Sequence, residues 1–260
     1  MNNLEIRVLS LPDAYARRTK FQERFSLVSK LKFQFFDGVY GKNIPDEILK
    51  SIYDDKKAKL KINRSMTVGE IGATYSHYLI YKDAYEKSLD YLIVLEDDSF
   101  VDENFDEVIN RLLVKITPDD DAIIFIQEHT LDSKVIFSRK KDKLKNGFEL
   151  VKMLGSSQYF VGSYGYILTK KSINKIIQNY LPIYCVCDHW FFIKKDSKIE
   201  SFYCVSPSLV YTNDEDIRLV DSFINEERKN VLKNRGVSRI GRIKIIIKRV
   251  VLRLLNKDWE

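Results

Sequence analysis

Apolar and polar positions along the chain form short apolar runs and longer segments with one apolar face, which predict strands and helices respectively. The runs rich in apolar, aromatic and β-branched side chains are residues 4–11, 32–36, 91–95, 122–126, 159–161, 164–168 and 201–205. The segments of helical character are residues 67–87, 102–115, 169–180 and 215–233. Strands and helices in this order predict an α/β fold around a mixed central sheet.

Capping residues locate the starts of three predicted helices. Pro12 and Asp13 follow the first strand and suit the first turn of a helix. Thr67 and Glu70 have the spacing of a capping box, in which each side chain binds the other residue's backbone amide. Thr169 is in position to cap the helix that follows it.

The most apolar run, residues 91–95, is followed at once by Glu96, Asp97 and Asp98. Open α/β sheets bind ligands at the carboxyl ends of their strands, and adjacent carboxylates repel one another unless water or a cation screens them. A divalent cation with oxygen ligands would screen them and draw a phosphate into the site. A solvated acidic loop is the alternative, and the position directly after a buried strand favours the metal.

Three further charged residues are predicted at the same edge of the sheet. Arg17 and Arg18 lie in the early turns of the first helix, where cations can hold a diphosphate, although paired surface arginines are common. Asp37 ends the second predicted strand, the position at which nucleotide-binding folds often bind a ribose hydroxyl.

Glu70 and His77 lie seven residues apart and therefore on one face of helix 67–87. The cap alone would account for Glu70, and a hydrogen-bonded, half-buried histidine is the alternative for His77. Asp188 and His189 precede an aromatic run, and we interpret them as a helix start whose polar side chains face the pocket.

The composition is that of a globular protein, since 45% of the 260 residues are hydrophobic and 31% are charged. Segments 41–66 and 130–148 are charged and lack a clear period, so we expect a mobile loop and a surface excursion. No apolar run approaches the roughly 20 residues that span a bilayer, and we expect no secretory signal. Three cysteines argue against a disulfide framework and favour the cytoplasm.

The net charge of +6 resides in residues 235–260, which hold eight Lys or Arg against two carboxylates. We therefore predict one domain over 1–234 and a basic amphipathic helix over 235–260. Such a helix suits an anionic membrane surface, and hence a peripheral position on the inner face of the inner membrane. A helix packed on the body or an oligomer contact is the alternative. No nucleic-acid partner is expected, because aromatic residues are not interleaved with these cations.

Together these stretches resemble glycosyltransferase family 25, the lipopolysaccharide and lipooligosaccharide glycosyltransferases. Part of the resemblance lies in the first strand with Arg17 and Arg18, and in residues 35–39. Its most specific part is the helix motif of residues 67–77 followed by residues 95–98. Residues 165–168 and Asp188 match more loosely, and the match covers roughly residues 4–210.

The resemblance implies a GT-A-type, Rossmann-like fold, a UDP-sugar donor (often UDP-galactose) and frequently a β-1,4 linkage formed with inversion. The implied acceptor is an oligosaccharide or lipooligosaccharide. Glu96 and Asp98 would bind Mn2+ or Mg2+, with Asp97 able to replace either, since the outer positions are not both aspartate. Glu70 and His77 match the family's helix motif. The predicted donor-binding residues are then Arg17, Arg18, Asp37, Glu70 and Asp97.

An inverting transfer needs one base that takes the proton from the acceptor hydroxyl as it attacks the anomeric carbon. A carboxylate opposite the metal suits this step best, which makes Asp188 the predicted base. His77 and His189 are the alternatives. Two other classes stay open: a metal-dependent phosphatase or phosphotransferase, which would want its acidic motif near the first strand, and a membrane-associated adaptor whose acidic loop is merely solvated.

Overall fold

The computed structural model describes residues 3–128, 134–212 and 250–255, and these form an α/β fold, as predicted. The strands are β1 (Leu4–Ser10), β2 (Phe33–Asp37), β3 (Tyr91–Glu96), β4 (Ser99–Val101), β5 (Ala122–Phe125), β6 (Ile136–Lys143), β7 (Glu149–Gly155), β8 (Gly165–Thr169), β9 (Ser201–Ser206) and β10 (Val210–Thr212). The helices are α1 (Tyr15–Val28), α2 (Asp46–Ile52), α3 (Asp55–Ile62), α4 (Val68–Glu86), α5 (Phe105–Lys115), α6 (Lys170–Asn179) and α7 (Trp190–Asp196).

Within the described residues, eight strands form one mixed sheet in the order β2-β1-β3-β8-β5-β9-β7-β6. β1 is parallel to β2 and β3, and β5 is parallel to β9. β8 runs antiparallel between β3 and β5, and β7 is antiparallel to both β9 and β6. The carboxyl ends of β1, β2, β3 and β5 therefore lie with the amino end of β8 at one edge, which we call the ligand edge.

β3 is buried on both faces of the sheet. Ile93 and Leu95 enter the core formed with α1 and α5, whereas Leu92 and Val94 enter the core formed with α4, α6 and α7. Successive side chains of a strand point to opposite faces, so a strand covered on both faces is apolar throughout. This double burial explains the apolar run 91–95 and fixes the position of the carboxylates that follow it.

Two of the three predicted helix caps are present. Thr67 Oγ1 accepts a hydrogen bond from Glu70 N (3.2 Å), and Glu70 Oε2 accepts one from Thr67 N (3.0 Å), which confirms the capping box of α4. Thr169 Oγ1 accepts from Ser172 N (3.3 Å) at the start of α6. α7 begins at Trp190, directly after Asp188 and His189, as predicted.

The predicted start of the first helix is wrong. α1 begins at Tyr15, and Ala14 occupies the N-cap position without a side-chain hydrogen bond. Asp13 instead accepts a hydrogen bond from the Tyr40 hydroxyl. Asp13 is thus used in a contact between segments distant in sequence, which a local capping pattern does not reveal.

The prediction of a mobile, irregular loop over residues 41–66 is also wrong, because α2 and α3 occupy most of this segment. Asp54 caps α3, and its Oδ1 accepts from Lys57 N (2.9 Å). Ile52 at the end of α2 packs in a small core with Ile71 of α4. Helices this short carry only one or two buried apolar residues, so their sequence shows no sustained period.

The expected surface excursion over residues 130–148 contains β6, which pairs with β7 as the outer hairpin of the sheet. The last five residues of β6 are exposed, and this lysine-rich half masks the strand pattern. Residues 159–161 do not form the predicted strand, since Ser157–Tyr159 is a single 3-10 turn.

The predicted tail helix lies mostly outside the described residues, as does the predicted helix 215–233. Residues 250–255 are helical, and the Arg253 guanidinium donates to Phe137 O from Nε (3.1 Å) and Nη2 (3.0 Å). The domain division at residue 234 and the membrane role of the tail stay predictions. None of the helices in the described ranges is long and apolar enough to cross a membrane.

Candidate active site

The register of the parallel strands gathers the predicted polar residues at the ligand edge. Ser10 of β1 lies opposite Asp37 of β2, and Leu9 of β1 lies opposite Glu96 of β3. Glu96, Asp97 and Asp98, which we call the acidic triplet, therefore leave the sheet beside Ser10 and Asp37.

Glu96 lies between β8 and α4. Its Oε1 accepts a hydrogen bond from Ser163 Oγ (2.8 Å) and lies 3.9 Å from His77 Nε2. Burial, followed by the negative charge of Asp98, raises the pKa of Glu96 to about 8. A cation beside this carboxylate would favour its ionised form.

Asp97 is engaged on both carboxylate oxygens. Ser10 Oγ donates to Asp97 Oδ2 (2.6 Å), and the Arg17 guanidinium forms an ion pair with Asp97 Oδ1. Burial raises the pKa of Asp97, and the charge of Arg17 opposes this effect. With both oxygens in use, Asp97 is less available as a metal ligand than its two neighbours.

Asp98 keeps one oxygen for a ligand. Arg17 Nη2 lies 3.3 Å from Asp98 Oδ2, whereas Asp98 Oδ1 is buried and has no hydrogen-bond partner among the described residues. A small divalent cation that also binds water and substrate phosphates needs only one or two carboxylates, so Glu96 and Asp98 fit such an ion. In residues 3–128, 134–212 and 250–255 no group of three or more His, Cys, Asp or Glu is arranged to hold a metal by itself.

Arg18 and Asp37 form an ion pair at the ends of β1 and β2. Arg18 also donates to Ser10 Oγ and to Ser10 O, both at 3.1 Å. The Asp37 side chain is mostly exposed, so its carboxylate can still accept a hydrogen bond from a ligand hydroxyl. Arg18, predicted to bind the diphosphate, and Asp37, predicted to bind the ribose, thus form an ion pair with one another.

Arg24 of α1 is a residue that sequence reasoning missed. Its Nη2 donates to the backbone carbonyls of Asp97 and Ser99, both at 3.3 Å, and its guanidinium lies 4.1 Å from the ring centre of Phe100. Arg24 therefore holds the backbone of the acidic triplet against α1. No local sequence signal marks it, because its partners lie more than 70 residues away.

His77 is buried in a polar chain behind Glu96. His77 Nδ1 and the Tyr166 hydroxyl are 2.7 Å apart, and the Tyr166 and Tyr81 hydroxyls are 2.6 Å apart. Burial lowers the pKa of His77 to about 4, so the imidazole is neutral at pH 7. His77 is near the site, as predicted, but it is enclosed by protein.

Glu70 is fully engaged in structural contacts. The Arg64 guanidinium binds both Glu70 oxygens (2.6 and 2.8 Å), and Thr67 N binds Oε2. Glu70 is completely buried, so its predicted contact with the donor has no accessible oxygen to support it. Its hydrogen bonds raise the pKa of Arg64, and the charge of Asp188 adds to that effect.

Asp188 is half-buried, and the residue before it, Cys187, lies beside Ser163. Cys187 Sγ is 3.6 Å from Ser163 Oγ, and Cys187 N donates to Thr74 Oγ1 of α4 (3.2 Å). The loop before α7 is thereby fastened to both α4 and the segment preceding β8.

The model of a protein family described as "Glycosyltransferase family 25 (LPS biosynthesis protein)" matches residues 3–191. The chain is 24% identical over 263 residues to the lipooligosaccharide biosynthesis protein lic2B of Haemophilus influenzae, which covers 95% of this chain and 94% of that protein. It is 25% identical over 174 residues to the lacto-N-neotetraose biosynthesis glycosyltransferase LgtE of Neisseria meningitidis serogroup B, covering 66% and 59%.

Among solved structures, GalNAc-T7 with UDP, GalNAc and Mn2+ aligns over 100% of this chain and 58% of that chain, at 9% identity. The TM-score is 0.48, so this likeness carries no argument about the site.

Proposed function

The chain belongs to glycosyltransferase family 25, and from this premise we propose that it transfers a sugar from a UDP-sugar to a lipooligosaccharide or lipopolysaccharide glycan. Galactose is the proposed sugar, and a β-1,4 bond formed with inversion is the proposed linkage. The relative from Haemophilus influenzae, which is named for lipooligosaccharide biosynthesis and matches nearly the whole chain, supports an acceptor of this class.

The acidic triplet carries the proposal. Glu96 has a pKa raised to about 8, and Asp98 has a buried oxygen without a partner in the described part of the chain. Both properties favour a ligand that brings positive charge to the ligand edge, and a cation bound to a diphosphate is such a ligand. We propose Mn2+ or Mg2+, with Glu96 and Asp98 as its protein ligands. When bound, the cation would supply Lewis-acid stabilisation of the leaving diphosphate.

Donor binding is proposed for the charged residues around the triplet. Arg17 faces Asp97 and Asp98 and is partly exposed, so its guanidinium can turn toward a diphosphate. Arg18 holds Asp37, whose exposed carboxylate is placed to accept a hydrogen bond from a ribose hydroxyl. These positions at the carboxyl ends of β1, β2 and β3 suit the GT-A-type arrangement that the resemblance implies.

Asp188 is the proposed general base. It is half-buried, it directly follows Cys187, whose Sγ lies 3.6 Å from Ser163 Oγ, and a carboxylate can accept the proton of an attacking hydroxyl. His77 is the weaker candidate because its ring is buried, which disfavours the imidazolium that proton acceptance would form, and because Tyr166 contacts its Nδ1. We propose that His77 supports the wall of the site behind Glu96 and takes no part in proton transfer. His189, the N-cap residue of α7, is the other alternative.

The basic tail is proposed to bind the membrane that carries the acceptor. Residues 235–260 hold eight Lys or Arg, which suits an anionic lipid surface, where each cation adds about 1 kcal/mol. We propose that the tail places the protein on the inner face of the inner membrane, as a peripheral protein, where growing lipid-linked glycans are accessible.

Two measurements test the proposed transfer. Thermal shifts with UDP, UDP-sugars and inorganic phosphate, each with and without Mn2+, report which ligand the site binds. A hydrolysis screen over UDP-sugars then reports which sugar is released. We expect a Mn2+-dependent shift with UDP but not with phosphate, and hydrolysis of UDP-galactose above the other donors.

Two matched variants test whether the Mn2+-dependent thermal shift arises at the acidic triplet. Asp98→Asn removes the proposed metal ligand, and Asp119→Asn changes an exposed aspartate away from the site. We expect Asp98→Asn to abolish the Mn2+-dependent shift and Asp119→Asn to preserve it. A phosphate-driven shift would favour a phosphotransferase, and the absence of any nucleotide response would favour a non-enzymatic adaptor.

A further inference from the structure

Residues 161–165 comprise the loop ahead of β8 and the first residue of that strand, and we call them the fastened loop. The buried amide of Gln127, at the end of β5, holds both ends of it: Gln127 Nε2 donates to Val161 O (3.0 Å), and Gln127 Oε1 accepts from Gly165 N (3.1 Å). One side chain thus closes the loop, so the spacing of its two ends is fixed.

α7 holds the middle of the same loop. Trp190 Nε1 donates to Gly162 O at 2.7 Å, and the Trp190 side chain is completely buried. Gly162 has φ of +98°, and a Cβ at this position would lie 2.6 Å from Gln127 Nε2. The loop therefore packs so closely on the amide that only glycine fits there.

The fastened loop is also bound to the acidic triplet, because Ser163 Oγ donates to Glu96 Oε1 (2.8 Å). Val161 is two residues from Ser163, and two residues of chain span at most about 7 Å. The Cα atom of Val161 therefore lies within about 7 Å of the Cα atom of Ser163, the residue that contacts Glu96.

Three apolar side chains on and beside this loop are exposed. Val161 is 60% exposed, Tyr159 is 37% exposed, and Phe191, which directly follows Trp190, is 38% exposed. We call them the apolar rim. Tyr159 and Val161 precede Ser163, which binds Glu96, and Phe191 follows Trp190, which binds Gly162 O, so buried hydrogen bonds link these side chains to the loop that contacts the acidic triplet. Exposed apolar groups at the edge of a site mark a binding surface.

We propose that the apolar rim binds the acceptor saccharide, with the carbon–hydrogen face of a pyranose ring against Phe191 and Tyr159. This assignment rests on the proposed transferase function and names the acceptor subsite of the same site. A pyranose ring presents C–H bonds on one face, and these pack on the electron-rich face of an aromatic ring.

The test uses the full-length protein, UDP-galactose and p-nitrophenyl β-glycosides of glucose, galactose and N-acetylglucosamine as acceptor probes. Tyr159→Ser, Val161→Ser and Phe191→Ser remove the rim one side chain at a time. Tyr85→Ser, at the end of α4 beside the amino end of β3, and Val114→Ser, on α5, remove comparably exposed side chains elsewhere. Val161→Ser leaves the backbone carbonyl that Gln127 binds.

We expect each rim variant to raise the KM for the accepted glycoside about three- to tenfold, the loss of one apolar contact. The KM for UDP-galactose and the rate of its hydrolysis by water should stay at the wild-type values, as should all constants of Tyr85→Ser and Val114→Ser. A structural role would instead change donor hydrolysis together with transfer.

Three results would overturn the assignment. An unchanged acceptor KM in all three rim variants, or a wild-type protein that hydrolyses the donor but accepts none of the glycosides, removes the rim as the acceptor subsite. A wild-type protein that neither binds nor hydrolyses any UDP-sugar contradicts the proposed function itself, and the acceptor subsite falls with it.

Discussion

Ser163 Oγ donates a hydrogen bond to Glu96 Oε1 across 2.8 Å, which joins the segment before β8 to the end of β3. The hydroxyl favours the ionised form of Glu96, the form that binds a cation. We therefore predict that Ser163→Ala weakens Mn2+ binding about tenfold, as is usual when the partner of a metal-binding carboxylate is removed. Calorimetric titration with Mn2+ in the presence of UDP measures this change.

Two variants control that experiment. Ser163→Thr keeps a hydroxyl at the same position and should keep most of the affinity, whereas Ser51→Ala removes an exposed hydroxyl on α2 and should have no effect. Equal Mn2+ affinity in Ser163→Ala and the wild type would show that Glu96 does not need this donor.

The raised pKa of Glu96 predicts a pH dependence of stability. The usual pKa of this carboxyl is 4.5, and its value in the folded protein is about 8. Between these values the folded protein keeps a proton that the unfolded chain releases, so the free energy of unfolding falls as the pH rises. In metal-free buffer we expect the wild type to lose stability from pH 4.5 to 8 relative to Glu96→Gln, as measured by urea unfolding.

His77 has the opposite effect on the pH dependence of stability, because its pKa of about 4 lies below the usual 6.5. The folded protein therefore loses stability as the pH falls from 6.5 to 4, in both the wild type and Glu96→Gln. The difference between these two proteins isolates Glu96. Parallel stability curves for the two proteins from pH 4.5 to 8 would contradict the raised pKa of Glu96.

Asp188→Asn tests the proposed general base. The amide cannot accept the proton of the attacking hydroxyl, so we expect transfer to fall by at least about 100-fold, within the range of general-base contributions. The Kd for UDP should stay near the wild-type value, because the substitution keeps the size of the side chain. Steady-state transfer and UDP titration are the measurements, with Asp119→Asn as the control. Normal turnover in Asp188→Asn would remove this residue from the role.

Glu70 should affect stability more than donor binding. Its carboxylate is completely buried and pairs with Arg64, so Glu70→Ala leaves a guanidinium that is only 17% exposed without its carboxylate partner and should cost about 3 kcal/mol of unfolding free energy. Thr67→Ala removes only one cap hydrogen bond and should cost about 1 kcal/mol. Chemical unfolding gives both values. If Glu70→Gln stays as stable as the wild type but loses UDP affinity, Glu70 contacts the donor after all.

Removal of residues 235–260 tests the membrane role of the tail. The truncated protein loses the whole net charge of +6, and we expect it to stay in the supernatant when it is sedimented with vesicles containing anionic lipid. The full-length protein should co-sediment, and added salt should release it. Equal co-sedimentation of both proteins would contradict a membrane role for the tail.

The sequence by itself determined the features that depend on neighbours along the chain. β3 was predictable because double burial requires a continuous apolar run, and the capping box because Thr67 and Glu70 are three residues apart. The position of the acidic triplet at the ligand edge was predictable because it directly follows a strand of an open sheet. The short helices α2 and α3 were missed, since each buries too few residues to show a period.

Only the tertiary structure decided which partner binds each carboxylate of the acidic triplet. Glu96 meets Ser163 across 67 residues of sequence, and Asp97 meets Arg17 across 80. These contacts depend on strand order and register, which local patterns do not encode. The structure thereby shows Asp97 held by protein donors, while Glu96 and Asp98 lie on either side of it with capacity for a ligand. It also shows that Glu70 is buried in an ion pair with Arg64, which lies six residues before it, just ahead of the α4 cap.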